Sequence, residues 1–564
     1  MTGHSMNDFG RGDEFIVILI LNLLFYKFTQ FYSFITLSAL LLRLYDKKQY
    51  WQRQGVPCSP TNLFVGHMKE VRSYNGVIEF EKEQFKKFGK TYGMYFLDMN
   101  CLVTMDLDLI KQICIKDFAH FPARFSGLPD TQNKKIIQKS LLRSMVSVIQ
   151  GDDWRRVRNR ITPAFTTGKL KKARNENFHN FLFSIIPTIA ESSNHLINYI
   201  SRKYVATNEE IPLKEIFGRF ALDVIGRSGF SSDFKTFSDE DSEIVKQTLV
   251  FSNPARNMVY FAFMTFFPFL NSLLERFFSF DLWDMPAQRF FHGIMSKLYD
   301  ERKDDPEAKD KYNDIFQLLM NAVNDSEASE LEEITKGQTT NELKNNLITK
   351  QYDKYLSKVE LFAQGLILLI AGYDTTGSVL QFAIYMLAMN PEVQAKLREE
   401  INYVLGEEEQ ISYEHLKRME YLQAVVQETL RMYPPAPGSN RECNSNLNIN
   451  GINLREGDLV FIPIYSIQHN EEFYPEPEKF KPERFIREGK TSLDPLTFLA
   501  FGLGQRNCIG MRFAEFQMHI VIALIVRRFN FKPGPNSPSL PLELESIMLL
   551  RPKEKLVVLA EDIL

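Results

Sequence analysis

The residues with the clearest potential for chemistry lie in the segment FGLGQRNCIG at 501–510. Cys508 stands two residues after Arg506 and directly ahead of an apolar pattern with helical spacing. A cysteine in this setting has three interpretations. It packs as a small apolar side chain, it acts as a reactive thiol stabilised as thiolate by the helix N-terminus and Arg506, or it ligates haem iron as a thiolate.

A second polar segment, AGYDTT at 371–376, lies inside an apolar run with helical spacing from about 359 to 389. A membrane-spanning helix needs about 20 apolar residues, and Gln364, Gly372 and Asp374 interrupt this run. A threonine in a helix can donate to the carbonyl four residues earlier and bend the helix. We therefore expect Thr375 to bond to Ala371 and to open a groove at that point.

Two charged patterns carry less information when taken alone. Glu428 and Arg431 are spaced i,i+3, which places a carboxylate and a guanidinium on one helix face, but many helix surfaces produce such a pair. Trp154 and Arg158 lie one helical turn apart, and by themselves they are equally compatible with an exposed basic helix.

The pattern Phe501-x-x-Gly504-x-Arg506-x-Cys508-x-Gly510 resembles the haem-binding loop of the cytochrome P450 family. The resemblance extends over nearly the whole chain from about residue 55. It is nearest to the drug- and steroid-oxidising family 3 group and its relative thromboxane synthase, through AFTTGKL at 164–170, PEPEKF at 475–480 and CIGMRFA at 508–514. The resemblance implies haem b as cofactor, with Cys508 as the axial thiolate ligand of the iron.

The same resemblance assigns roles to the other patterns. Asp374 and Thr375 would be an acid–alcohol pair that guides protons, and the arginines among the haem contacts would pair with propionates. Phe501 would shield the sulfur, and Gly504 and Gly510 would supply turn geometry and let the backbone approach the macrocycle. The implied haem contacts are Trp154, Arg158, Arg124, Ala371, Arg441, Phe501, Arg506 and Gly510. The implied network that supports the loop is Glu428, Arg431 and Arg484.

These motifs also decide the expected architecture. A length of 564 residues would suit several average domains, but motifs between 124 and 508 must converge on one cofactor. We therefore predict one large haem domain of the P450 fold at 55–564, mainly α with small β-sheets (α+β). A small sheet is expected before about 120, helices from 130 to 435, a strand at 459–464 and a last helix at 511–529.

The N-terminal part, residues 1–54, is predicted to be a membrane anchor with its flank. Two apolar runs at 15–26 and 31–42 are separated by the polar sequence KFTQ, and only together do they exceed the roughly 20 residues of a spanning helix. Basic residues follow, at Arg43, Lys47, Lys48 and Arg53. By the positive-inside rule the body of the protein would face the cytosol, on the endoplasmic reticulum membrane.

Composition limits the partners. The net charge of -3 and the pI near 6.4 give no footprint for nucleic acid. Five scattered cysteines without a C-x-x-C pattern argue against a disulfide framework and a zinc site. The resemblance implies an NADPH-dependent flavoprotein reductase as electron donor, with cytochrome b5 as a further partner. A reductase could dock by electrostatic steering on a basic group that is otherwise a solvated face: Arg155, Arg156, Arg160, Lys169, Lys171 and Lys172.

The predicted function is a membrane-bound monooxygenase that uses dioxygen and reductase-supplied electrons to oxidise a small lipophilic substrate. The phenylalanine-rich segment at 251–280 would form a pocket roof and a membrane-facing surface, or simply core. One alternative is a reductase-independent isomerase of lipid peroxides, as in thromboxane synthase. Another is a haem sensor or carrier without turnover. The presence of both Asp374 and Thr375 favours the monooxygenase, because neither alternative needs proton delivery.

Overall fold

The computed structural model describes residues 41–74, 76–97, 99–125, 140–165, 179–238, 242–251, 285–321, 356–408, 410–486, 493–546 and 549–563, with a few isolated positions between 27 and 39. Several predicted features lie outside these ranges. They are the first apolar run at 15–26, the phenylalanine-rich segment beyond residue 251, the polar segment at 325–350 and the basic residues at 169–172.

Helices account for most of the described residues. They are α1 (Tyr50–Arg53), α2 (Met68–Ser73), α3 (Val77–Phe88), α4 (Leu107–Lys111), α5 (Gly151–Ile161), α6 (His179–Ile200), α7 (Leu213–Phe230), α8 (Glu243–Phe251), α9 (Met285–Lys303), α10 (Ala308–Lys311), α11 (Ile315–Met320), α12 (Lys358–Met389), α13 (Pro391–Leu405), α14 (Tyr413–Arg418), α15 (Glu420–Met432), α16 (Ile464–Gln468) and α17 (Met511–Arg528). Short π-helices cover Gln112–Lys116 and Ser201–Val205, and a 3-10 turn covers Gly504–Arg506.

The strands form small sheets at the edges of this helical body. They are β1 (Thr91–Phe96), β2 (Met99–Thr104), β3 (Ile211–Pro212), β4 (Ser439–Glu442), β5 (Leu447–Ile449), β6 (Ile452–Leu454), β7 (Leu459–Ile462), β8 (Phe529–Lys532), β9 (Leu544–Ser546), β10 (Leu550–Pro552) and β11 (Val557–Asp562). The largest sheet has the order β1-β2-β7-β4, and another has the order β3-β11-β8. In the first sheet β2 and β7 run parallel, while β1 and β4 pair antiparallel to their neighbours.

The predicted fold class, mainly α with small sheets, is confirmed. The predicted strand at 459–464 is two residues too long, because Pro463 caps α16 and the chain turns helical at Ile464. The predicted last helix ends one residue earlier than expected, because Phe529 pairs with Asp562 in the sheet of β8 and β11.

The central helix is α12, which is apolar around nearly its whole circumference and packs against α7 and α17. Ser357 begins it with a capping box: its hydroxyl accepts from the Glu360 N–H, and its own N–H donates to the Glu360 carboxylate. This arrangement satisfies two backbone N–H groups that a helix start leaves open. Among the described residues α12 is the helix long and apolar enough to cross a membrane, yet most of it is buried inside the protein.

The short helix α1 packs against the largest sheet. The Trp51 side chain is fully buried, and its indole Nε1 donates to the Met94 carbonyl at 3.1 Å. Its ring lies against Gly93, where an added Cβ would be 2.3 Å from Trp51 Cγ. Tyr50 donates to the Asp458 carboxylate at 2.6 Å. Tyr50 and Trp51, which precede the predicted domain start at residue 55, are therefore buried against this sheet.

The close contact between Gly93 and Trp51 generates a prediction about stability. Gly93→Ala should lower the free energy of unfolding by about 1–3 kcal/mol, because the new methyl displaces a buried indole in a close-packed region. Urea unfolding followed by tryptophan fluorescence measures the change. The matched control is Gly293→Ala on α9, where no atom lies within 4 Å of an added Cβ. Alanine there should be neutral or stabilise the helix by up to about 1 kcal/mol. Equal unfolding midpoints for the two variants would contradict the predicted packing.

Candidate active site

The loop that carries Cys508 is held in a tight backbone conformation. The Cys508 N–H donates to the Phe501 carbonyl at 2.8 Å, and α17 begins at Met511. Gly504 has a φ of +72°, and a Cβ there would lie 2.1 Å from the Cys114 carbonyl oxygen. Glycine is thus required at 504 by both conformation and space.

Gly510 differs from the expectation of turn geometry. Its φ is −88°, which other residues adopt readily, and no atom lies within 4 Å of a Cβ built there. The backbone itself therefore gives no reason for glycine at 510. The open space beside it leaves room for close approach of another group.

Cys508 differs from the other cysteines in accessibility. Its side chain is exposed, whereas Cys101, Cys114 and Cys443 are buried and Cys58 is half-buried. Burial nevertheless raises the pKa of the Cys508 thiol, and the Gly510 N–H together with the Arg158 and Arg124 charges oppose that rise. A side chain that is accessible and yet enclosed by protein faces an internal space. The interpretation of Cys508 as a packed structural cysteine is therefore not supported.

Arginines from separate parts of the chain converge on the carbonyls of this loop. Arg124 donates to the Arg506 carbonyl at 2.7 Å, and Arg158 of α5 donates to the Asn507 carbonyl at 3.0 Å. Arg441 of β4 donates to the Leu503 carbonyl at 3.1 Å. The predicted residues Arg124, Arg158 and Arg441 are thus brought together around the loop.

Arg506 lies within the same cluster and points away from Cys508 towards the preceding segments. Its guanidinium donates to the carbonyls of Pro122, Val146 and Ile149 at 2.9, 3.3 and 3.2 Å. It also stacks on the Trp154 ring, with 3.9 Å between its central carbon and the ring centroid. A guanidinium has five N–H groups, and these three bonds use three of them. Two N–H groups of Arg506 therefore remain available for another acceptor.

The charge balance of this cluster tests whether it fits a haem. None of Arg124, Arg158, Arg441 and Arg506 forms an ion pair with a carboxylate in the described part of the chain. Burial and the neighbouring Arg124 charge lower the pKa of Arg506 to about 9, and burial with the Arg441 charge lowers that of Arg124 to about 10. The Nε groups of Arg124 and Arg441 are buried without an acceptor. A buried cationic cluster needs an anion, and the two propionates of a haem meet this need.

The AGYDTT segment of α12 presents two residues in different directions. The Thr375 hydroxyl donates to the Ala371 carbonyl at 2.6 Å, as the spacing predicts. Ala371 is exposed although most of α12 around it is buried, so the helix is open on this face. Asp374 is buried on another face, where its carboxylate pairs with Lys214 of α7 and, at 2.8 Å, with Arg551 of β10.

The predicted network of Glu428, Arg431 and Arg484 is formed. Arg431 holds the Glu428 carboxylate through two bonds of 2.7 and 2.9 Å, and both side chains are fully buried. Arg484 Nε reaches the same carboxylate at 3.3 Å. Bidentate pairing of this kind fixes geometry as well as charge.

Gln468 connects this network to the cysteine loop. Its carbonyl accepts from Arg431 at 2.9 Å, and its side-chain oxygen accepts from the Leu499 N–H at 2.8 Å. The Leu499 carbonyl in turn accepts from the Gly502 N–H at 2.7 Å. The contacts of Gln468, Lys214, Arg551 and Cys114 carry no motif in the sequence, and they depend on residues far apart in the chain.

The buried ion pair of Glu428 and Arg431 predicts that loss of Arg431 costs more stability than loss of an arginine that bonds only to neutral groups. Arg431→Met should lower the free energy of unfolding by about 3–5 kcal/mol, because it leaves the Glu428 carboxylate buried without its main partner. Arg398→Met is the matched control, since Arg398 of α13 donates to the carbonyls of Val526 and Phe529 and pairs with no described carboxylate. It should cost about 1–3 kcal/mol. Urea unfolding measures the free energy of unfolding of both variants. Equal losses would contradict the prediction that Arg431→Met leaves a buried carboxylate without its partner.

Comparison with known proteins agrees with this geometry. The family model described as Cytochrome P450 matches residues 56–560. Cytochrome P450 3A5 of Homo sapiens is 32% identical over 533 residues, covering 94% of this chain and 95% of the relative. Cytochrome P450 3A12 of Canis lupus familiaris is 31% identical over 545 residues, with coverages of 94% and 97%. The predicted family is confirmed: the chain belongs to the cytochrome P450 family of haem-thiolate monooxygenases.

Proposed function

We propose that this protein is a membrane-anchored monooxygenase that takes two electrons from an NADPH-dependent flavoprotein reductase and oxidises a lipophilic substrate with dioxygen. The observation that carries the proposal is the position of an accessible thiol, Cys508, on a loop surrounded by arginines that pair with no carboxylate in the described part of the chain. A reactive thiol used as a nucleophile would not need several cations of this kind. A thiolate-bound group with two carboxylates does need them.

The haem would be held from several sides. Cys508 would ligate the iron, and the nearby N–H of Gly510 would stabilise negative charge on its sulfur. Arg124, Arg441 and Arg506 would neutralise the propionates, because each has an N–H group without an acceptor among the described residues. The remaining contacts of the proposed haem site are Trp154, Arg158, Ala371 and Phe501. When bound, the haem supplies the redox chemistry that activates dioxygen.

Proton delivery falls to Thr375 and Asp374. The Thr375 hydroxyl donates to the Ala371 carbonyl on the open face of α12, so the lone pairs of its oxygen remain able to accept a hydrogen bond from water in the groove. Asp374 lies on the other side, paired with Lys214 and Arg551, whose side chains are 35% and 26% exposed. The carboxylate therefore connects a face that solvent reaches with the buried helix. When water displaces one of these cations, the carboxylate would take up a proton from solvent and release it through water towards Thr375, which returns the carboxylate to its charged form.

The membrane association rests on residues before α1. Phe34, Leu42 and Tyr45 are 68%, 70% and 61% exposed, and exposed apolar side chains are available for contact with a membrane. We place the anchor predicted within residues 1–54 before the buried Tyr50 and Trp51 and at the endoplasmic reticulum membrane. The catalytic domain would lie in the cytosol and draw its lipophilic substrate from the bilayer.

The reductase, and with it cytochrome b5, would dock on a smaller basic surface than the sequence alone suggests. Arg155 and Arg160 are exposed on α5. Arg156 instead forms an ion pair with Glu360, where both side chains are largely buried. We therefore assign Arg155 and Arg160, and not Arg156, to the acidic surface of the electron donor.

The thiolate ligand is tested by the carbon monoxide difference spectrum of the dithionite-reduced protein. Wild type should show the strongly red-shifted Soret band of a haem thiolate, and Cys508→His should lose it while retaining measurable haem. Cys58→Ser is the control and should keep the band, because Cys58 lies between α1 and the sheet. A haem-loaded wild type without the shifted band would overturn the assignment of Cys508.

Proton delivery is tested by the hydrogen peroxide released per NADPH oxidised in the presence of reductase. Thr375→Ala should raise this ratio towards one, and Asp374→Asn should slow NADPH oxidation by about 10²-fold, as loss of a general acid–base group does. Thr376→Val is the control, because Thr376 is buried on a different face. An unchanged ratio in Thr375→Ala would contradict the role of Thr375. Substrate turnover that is independent of reductase would favour the isomerase instead.

A further inference from the structure

A buried glutamine on α12 holds a segment of the chain that also contacts the cysteine loop. Gln364 is 3% exposed and lies in an otherwise apolar stretch of the helix. Its Oε1 accepts from the Val146 N–H at 3.0 Å, and its Nε2 donates to the Ser144 carbonyl at 2.8 Å. Nε2 also donates to the Glu360 carbonyl at 3.0 Å. The amide is thus satisfied by groups from two elements, and it fixes residues 144–146 against α12.

The same residues are fixed from the opposite side by the cysteine loop. Arg506, two residues before Cys508, donates to the Val146 carbonyl at 3.3 Å and to the Ile149 carbonyl at 3.2 Å. Val146 therefore has its N–H bound to α12 and its carbonyl bound to the cysteine loop. We call residues 144–149 the bridging segment, because they are hydrogen-bonded to both elements.

Helix geometry places Gln364 on the open face of α12. Ala371 and Thr375 follow it at i+7 and i+11, which returns to the same side of a helix with 3.6 residues per turn. The face that carries Gln364 at one end thus carries the Ala371–Thr375 groove at the other. The bridging segment therefore lies on the same side of α12 as this groove and is hydrogen-bonded to the loop of Cys508.

We propose that Gln364 is a positioning residue that sets the width of the space beside the Ala371–Thr375 groove by fixing the bridging segment against α12. The inference rests on the proposed haem site and adds a determinant of substrate size to it. A single amide suits this task, since its donor and acceptor bind the carbonyl and N–H of two nearby residues and so specify both distance and direction. Apolar packing alone would allow the segment to slide along the helix.

The test compares Gln364→Met with a matched variant, Gln394→Met. Gln394 of α13 holds a different segment in the same manner: its Oε1 accepts from the Phe531 N–H at 2.8 Å, and its Nε2 donates to the Phe531 carbonyl at 2.8 Å. No residue that Gln394 contacts belongs to the proposed site. Methionine keeps the length of the side chain and removes the hydrogen bonds, so both variants should lose similar stability.

The first readout is hydrogen exchange of peptides that cover 144–149, measured in haem-free and haem-loaded protein. Gln364→Met should accelerate exchange there, because the Val146 N–H loses its acceptor, and Gln394→Met should not. Unchanged exchange in Gln364→Met would overturn the proposal, whatever the state of the haem site.

The second readout is the affinity of two azoles that bind haem iron, followed by the Soret shift. Imidazole is small and reports only on the iron, whereas clotrimazole is bulky and reports on the surrounding walls. Gln364→Met should change the clotrimazole Kd by about 10-fold, equivalent to the loss of one buried hydrogen bond, and leave the imidazole Kd unchanged. Equal changes for both azoles, or the same change in Gln394→Met, would overturn the proposal. Failure of wild type to give a Soret shift with imidazole would instead indicate a failure of the haem site itself.

Discussion

Positive charge that no carboxylate of the described residues neutralises is the constraint on which this site depends. Arg124, Arg158, Arg441 and Arg506 come from four separate segments and meet around one loop, where burial and the charges of neighbouring arginines lower the pKa of Arg124 and Arg506. Such a cluster repels itself and is costly to bury. The loop carbonyls offset part of the cost, since each accepts from one of these guanidiniums. A bound anion offsets the remainder, so haem binding and folding of this region are energetically coupled.

The rigidity of the loop comes from a second set of contacts on the side opposite to the arginines. The pair of Glu428 and Arg431 is fully buried and leads through Gln468 and Leu499 to Gly502. The backbone of the loop is thus bound by hydrogen bonds on both sides. Because a thiolate ligand must be held at a fixed position, this restraint would support ligation of haem iron by Cys508.

The central helix α12 combines an apolar body with polar residues that have different tasks. Gln364 binds the backbone at 144–146, Thr375 donates to Ala371 on the open face, and Asp374 pairs with Lys214 and Arg551. Each is buried or half-buried and each is partnered, as buried polar groups require. The same helix therefore packs in the core, forms the groove at Ala371 and Thr375, and carries Asp374 on the side where its partners are partly exposed to solvent.

The sequence by itself determined the family, the fold class and the residues of the loop, because glycine, arginine and cysteine at fixed spacing have few other uses. It also determined the bond from Thr375 to Ala371, which depends only on helix geometry. Tertiary structure alone decided that Asp374 pairs with Lys214 and Arg551, that Arg156 binds Glu360, and that Gln364 binds Val146. Asp374 is 160 residues from Lys214 and 177 residues from Arg551. Arg156 is 204 residues from Glu360, and Gln364 is 218 residues from Val146. Local patterns record spacing within a helix or a turn, whereas contacts between distant segments are set by how the helices pack.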